Sequence, residues 1–440
     1  MATSDTVQHF LAKETIVISG AGISGLAFAI SLHKLWPSHS PNSSPPALTL
    51  YERDPCAVPP GREGYSLSLR SDRPSKGIQT LQKMGLLDRM LSTSIMAMGQ
   101  NEGKSDKGGF CVWDKDFTKV FKVQSKTPTG CPVAGMRIAR ADLRRTLVEA
   151  VEGLPGVSIK WDEGITAVAP APSTESGERT FQLTTSKGNT TSCTLLVAAD
   201  GSSSKLRSLL RPDDGLHFAG PTCIYGVTSI QRHHPSKRHD EFGAAISGTG
   251  TACFVAPVDR EKMLWCLSWI VPEPPVPKQR PLSEEDADAL LMEAKEKGSV
   301  FGEKHREMLE DTDVKSLTQF NAMDKQPFVH SGVYITAPGL ESLTGRTIFL
   351  GDANHAVSPF AGNGANLALM DGWDSAESLA HSDDVEEAIR EYDVLAVGRA
   401  KQIIRVSHFS IMVMHSKGWM LWFWLGFLKL MRLLFFKSVD

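Results

Sequence analysis

The chain has 440 residues, 41% of them apolar and 22% charged, with a formal net charge of −3. These are the proportions of a globular protein, long enough for two domains or one large interleaved one, and they give no global case for nucleic-acid binding. The cysteines (Cys56, Cys111, Cys131, Cys193, Cys223, Cys253, Cys266) are scattered and odd in number, and none form C-x-x-C. Reduced thiols in an intracellular compartment are therefore expected over a disulfide framework or a zinc site. The N-terminus has no basic start followed by an apolar core, so no secretory signal is read there.

The first element is T-I-V-I-S-G-A-G-I-S-G-L-A-F-A-I, Thr15 to Ile30. An apolar, β-branched run enters three glycines and leaves as a helix. Gly20, Gly22 and Gly25 have the spacing G-x-G-x-x-G. Gly20 allows the tight turn, Gly22 allows close approach of a pyrophosphate, and Gly25 allows the helix to pack closely on the strand. The helix N-terminus offers free N–H groups to phosphate. Glu52, ending the short strand L-T-L-Y, is the acid expected to hold ribose hydroxyls; its ordinary alternative is a solvated strand-end carboxylate. It lies 32 residues after Gly20, beyond the usual ~20. The Pro/Ser stretch Pro37 to Pro46 accounts for the excess, reading as an inserted loop. The first domain is thus expected to bind an adenine dinucleotide.

Further along, T-L-L-V-A-A-D-G-S-S-S-K-L-R, Thr194 to Arg207, delivers Asp200 and Gly201 at the end of a buried strand, where α/β sheets place ligand contacts. Asp200 alternatively caps a helix beginning near Ser202. In R-T-I-F-L-G-D-A-N-H-A-V-S-P-F-A-G-N-G-A-N-L-A-L-M-D, Arg346 to Asp371, a strand ends in Gly351-Asp352, and after Pro359 the run Gly362 to Ala365 opens another helix. The N–H groups of Gly364 and Ala365 would point at something anionic. No cluster suggests a metal site.

Taken together, these three motifs resemble those of the FAD-dependent aromatic hydroxylases, the class A flavin monooxygenases. G-Y-S-L-S-L-R, Gly64 to Arg70, and G-M-R-I-A-R-A-D-L-R, Gly135 to Arg144, are similar to one branch of it, which holds tetracycline-degrading and fungal secondary-metabolite enzymes. The resemblance implies an α/β fold: a Rossmann-like three-layer FAD-binding domain with an inserted, mostly antiparallel substrate sheet and C-terminal helices. The expected division is 1–214 and 335–380 for FAD, 215–334 for substrate, and 381–440 as a C-terminal helical region. By the same resemblance, Glu52 binds the adenosine ribose, Gly64 and Arg140 contact FAD, and Asp200 helps position FAD and NADPH. Asp352 binds the ribityl chain, Pro359 lines the flavin face, and Gly364 with Ala365 offers N–H groups to the pyrimidine edge. A helix N-terminus there suits the negative charge of reduced flavin.

The implied chemistry reduces FAD with NADPH or NADH, adds O2 at C4a, and transfers one oxygen to a small hydrophobic substrate. Hydroxylation, epoxidation and Baeyer–Villiger oxidation are alternatives, as is a flavin reductase or dehydrogenase that does not use O2. A halogenase should carry W-x-W-x-I-P, and Trp265 to Pro272 has the wrong tryptophan spacing. Arg207 and Tyr225 are the candidate catalytic side chains. Arg207 follows the Asp-Gly motif, with a helix salt bridge as its alternative. Tyr225 falls on the first strand of the substrate sheet, with a half-buried strand aromatic as its alternative. Trp265 and Trp269 share a strand face, either walling the substrate pocket or filling the core.

From Val394 to Val439 there is no acidic residue, against seven basic ones. Trp419 to Phe436 is apolar except for Lys429 and Arg432. Two cations argue against a spanning helix. A helix bridging two domains and a membrane-surface helix both fit. A cytoplasmic chain, with any membrane association made through this tail, is the expected location.

Overall fold

The computed structural model describes residues 9–39, 45–59, 64–99, 108–123, 126–171, 180–236 and 239–435. The β-branched run Ile16 to Ile18 forms the middle of strand Thr15–Ser19, at the centre of a five-stranded parallel sheet. Its neighbours are Leu195–Ala198 and then Thr347–Phe349 on one side, and Ala47–Tyr51 and then Val157–Lys160 on the other. The three residues are buried on both faces, as a continuous apolar strand in a covered parallel sheet must be.

One face is covered by the helices Ile23–His39, Arg140–Glu152 and Gly364–His381, which contribute Phe28, Leu143, Leu147, Leu369 and Trp373 to the largest core. The other is covered by a three-stranded antiparallel sheet and the helix Lys205–Leu210, through Phe181, Leu183, Leu206 and Leu210. This is the expected three-layer α/β domain. The helix Ile23–His39 does carry a correction. Its backbone stays helical through Pro37 and Ser38 to His39, so the start of the expected loop is helix, and residues 40–44 of that stretch lie outside the described residues. Pro37 lies in the last turn, where a missing N–H removes a single bond.

A second sheet has seven strands in the order Asp313–Asp324, His217–Ser229, Lys262–Ile270, Thr251–Pro257, Phe242–Ile246, Phe110–Trp113 and Lys119–Val123. All pairs are antiparallel except Phe242–Ile246 with Phe110–Trp113. Two of its strands thus come from residues 110–123, far upstream of the expected substrate segment. A small sheet of Ser66–Arg70, Gly135–Ala139 and Met96–Met98 completes the β structure.

Alternation splits the large sheet into two faces. Trp113, Ile224, Cys253, Val255, Trp265, Leu267 and Trp269 pack under the helices Glu284–Gly298 and Glu303–Glu310. The first of these helices is capped by Ser283, whose hydroxyl accepts the Asp286 N–H at 3.1 Å. Trp265 and Trp269 therefore fill a core rather than wall a pocket.

The tail spans the two bodies. The helix Val385–Met414 buries Ala388, Ile389 and Tyr392 in the core of the parallel sheet. The helix Trp419–Phe435 packs Leu421 and Leu425 against Val112 and Ile246 of the large sheet and Val413 of the long helix. His415 Nε2 and the Ser268 hydroxyl, both buried, meet at 3.0 Å. The Lys429 and Arg432 side chains and Phe436 lie outside the described residues. Among the described residues, no helix is long and apolar enough to cross a membrane.

Candidate functional site

Three turns at the C-terminal ends of the parallel strands build the site. In the first, Gly20 has φ of +103° and donates its N–H to Tyr51 O at 2.8 Å. A Cβ on Gly25 would stand 2.2 Å from Gly20 O, so only glycine lets the helix begin this close to the strand. A Cβ on Gly22 would meet only Ala199 O, at 3.8 Å, which leaves its backbone open to a ligand. Glu52 stands beside this turn, buried. Its Oε2 accepts the Ala21 N–H at 2.8 Å and its Oε1 accepts the Asp54 N–H at 2.9 Å. Arg144, almost fully buried, reaches Glu52 at 3.1 Å and Asp54 at 2.7 Å and donates to Ala21 O at 3.0 Å. The acid thus organises the glycine turn as well as facing it.

In the second turn Asp200 follows the strand and Gly201 takes φ of +81°. Asp200 Oδ2 accepts the Leu206 N–H at 3.0 Å, while Ser204 caps the helix, which begins at Lys205 rather than near Ser202. Asp200 Oδ1 is buried and has no partner in the protein, and burial holds this carboxyl above the usual range. A buried acceptor without a donor is costly, and a ligand hydroxyl would answer it. Arg207 turns away to the third loop. Its Nη1 donates to Asp352 O at 3.2 Å and Ala353 O at 3.1 Å, and its Nη2 donates to Ser202 O.

The third turn has Gly351 at φ of +57°, with its N–H given to Asp371 Oδ2 at 3.1 Å. Asp371 is buried, and burial opposes its charge. His355 Nε2 at 2.7 Å and Arg399 at 2.8 Å nevertheless hold it below the usual carboxylate range. Burial pushes Asp352 up to about 6, against the opposing pull of His355, Arg207 and Arg140. Pro359 begins a short 3-10 turn on the surface, Gly362 follows at φ of +60°, and the helix opens at Gly364. A Cβ on Gly362 or Gly364 would meet nothing within 4 Å. The first N–H groups of that helix, including those of Gly364 and Ala365, have no intrahelical partner. Asn366 ties the helix start to the small sheet, accepting the Arg70 N–H and donating to Ser68 O, each at 2.9 Å.

Between these turns and the second face of the large sheet, four side chains from distant segments converge. The Arg140 N–H donates to Tyr65 O at 3.2 Å, and its guanidinium lies 5.9 Å from the centre of the Tyr65 ring. Desolvation raises the Tyr65 phenol, Arg140 lowers it, and Tyr225 and Asp352 raise it further. Tyr225 projects from its strand opposite Cys266 and Thr318, with its ring 6.1 Å from Phe320. Gly64, at φ of +136°, leads directly into Tyr65. Sequence reasoning missed Tyr65, Arg144, Asn366 and the Asp371 network. Tyr65 and Arg144 did lie inside the two stretches singled out, Gly64 to Arg70 and Gly135 to Arg144.

Residues 74–407 match the family described as FAD binding domain. The chain is also 32% identical to the monooxygenase cfoF of Aspergillus candidus, over 93% of this chain and 94% of that one. The chain belongs to the class A FAD-dependent monooxygenases. Two solved structures agree with this flavin monooxygenase in fold. HpxO of Klebsiella pneumoniae, in a variant form complexed with FAD, superposes with a TM-score of 0.69 at 18% identity, covering 94% of each chain. CtdE, in complex with FAD and a substrate, gives 0.70 at 18% identity, covering 92% of this chain and 91% of its own. The monooxygenase's own residues fit FAD on three counts: bare glycine backbone at Gly22, Gly362 and Gly364, an orphaned Asp200 oxygen, and an open helix N-terminus at Gly364.

Proposed function

We propose that the enzyme inserts one atom of O2 into an apolar, aromatic or polycyclic small molecule, with NADPH or NADH as reductant. The convergence of Tyr65, Arg140, Tyr225 and Asp352 between the glycine turns and the open face of the large sheet carries this reading. Bound FAD, once reduced, supplies the activation of O2 at its C4a carbon. The Gly20–Gly25 turn holds the pyrophosphate, Glu52 the ribose and Asp352 the ribityl chain, while Asp200 Oδ1 accepts a hydroxyl. Arg140 and Gly64 would contact FAD, and Pro359 would line the flavin's face. The Gly364 and Ala365 N–H groups stabilise the charge that reduction places on the pyrimidine edge.

Tyr225 meets the substrate and, by hydrogen bonding, orients its hydroxyl or carbonyl. Arg207 is a positioning residue, because its guanidinium ties the second turn to the third. Residues 1–214 and 335–380 form the FAD-binding part and 215–334 the substrate part, to which strands 110–123 add.

The test is to reduce the purified holoenzyme anaerobically with NADPH and mix it with oxygenated buffer in a stopped-flow spectrometer. A transient absorbance distinct from both reduced and oxidised flavin, with an oxygenated product, is expected. Direct reoxidation with no transient and no oxygenated product, across a panel of aromatic substrates, would overturn the monooxygenase reading, and sluggish reoxidation would favour a dehydrogenase.

A further inference from the structure

Over Trp419 to Phe427, the last helix buries one side and leaves the other bare. Leu421 and Leu425 face the protein, whereas Trp419 and Trp422 are each 76% exposed and Phe423 is 56% exposed. Phe427 continues the same face at helical spacing. On the neighbouring helix Val385–Met414, Lys401, Arg405, Phe409 and Met412 are exposed and share a stripe. The two stripes join where the Phe409 and Trp424 rings meet edge to face, their centres 5.4 Å apart. An exposed apolar patch this continuous marks an interaction surface.

Charge decides what covers it. The segment from Val394 to Val439 holds seven cations and no acid; Arg399 is paired with Asp371 and Asp374, whereas Lys401 and Arg405 stand exposed on the stripe. A second copy docked through the same segment would set cation against cation, with no acidic residue of the segment to neutralise them. Tryptophan has an apolar body and a polar N–H, which favours the boundary between lipid headgroups and acyl chains. A helix with one aromatic face beside basic residues is the form of an interfacial membrane helix.

We propose that the Trp419–Phe435 helix and the end of Val385–Met414 dock the enzyme on an anionic lipid surface, without spanning it. The attachment rests on the packing of this tail and is independent of the reading of the flavin chemistry.

The test is co-sedimentation of the full-length holoenzyme with vesicles of phosphatidylcholine alone or mixed with phosphatidylserine, with flavin absorbance following the protein. Binding to the phosphatidylserine vesicles, weakened by high salt, is expected. The combined Trp419→Ser, Trp422→Ser, Phe423→Ser variant should lose at least ~tenfold in vesicle affinity, with flavin content and melting temperature unchanged. Lys401→Glu with Arg405→Glu should abolish the preference for anionic lipid. Equal binding to both vesicle types, or none to either, would overturn the proposal. So would light scattering that shows a dimeric parent and a monomeric serine variant, since the face would then belong to a second copy.

Discussion

The two faces of the seven-stranded sheet are made from the same strands, yet they follow different rules. Under the helices, Trp113, Trp265 and Trp269 are packed to exclusion of water, and the Trp265 indole N–H donates to Thr312 at 2.8 Å. On the opposite face, Tyr225, Phe254 and Cys266 are only half-buried, and the Tyr225 ring lies 6.1 Å from that of Phe320. One face is built for stability. The other faces the flavin turns, where Asp200 Oδ1 is buried without a partner in the protein. That is the usual relation between a core and a functional site.

Three substitutions would break or sharpen this contrast. Trp265→Ala should be the most damaging, costing about 3–5 kcal/mol of folding free energy. Denaturant unfolding measures it, and a loss below ~1 kcal/mol would mean that this face is not the core. Asp352→Asn should act in the opposite direction. Burial raises the Asp352 carboxyl to about 6, whereas an unfolded aspartate titrates near 4. Its contribution to stability is therefore complete below about pH 4 and is lost as pH rises through 6. The FAD-free Asp352→Asn protein should then gain on the order of 2 kcal/mol over the parent at pH 8 and nothing near pH 4. A difference that does not vary with pH would show that the carboxyl is not desolvated. The smallest stability effect belongs to Tyr225→Phe, within ~0.5 kcal/mol. There kcat/KM for a hydroxylated aromatic substrate should fall about tenfold, the worth of one well-placed hydrogen bond. Unchanged turnover would remove Tyr225 from the cleft.

The same contrast explains what could be read in advance. The strand entering Gly20, the helix leaving it and the Ser283 cap depend on neighbours within a few residues, so local pattern carries them. Period-2 spacing places Trp265 and Trp269 on one face. It does not say which face the helices cover, because those helices come from residues 284–310, beyond the strand. Asn366 bonds to the backbone of Ser68 and Arg70, and strands 110–123 join a sheet whose remaining members begin at His217. Such pairings follow from packing across the whole chain, and no local signal announces them. Pro37 shows the converse error, a local breaker overruled at the end of a long helix.

The parallel sheet has a consequence for how the molecule is made. Strand Leu195–Ala198 receives its outer neighbour from Thr347–Phe349, so the sheet closes around a connection of roughly 150 residues. On the ribosome, the glycine turn and Glu52 are in place long before the third turn exists. Five strands of the seven-stranded sheet must emerge in between. During synthesis the growing chain therefore carries an exposed edge at Leu195–Ala198 while the sheet between them is being made, and that edge is where a nascent chain of this protein is most open to mispairing or chaperone capture.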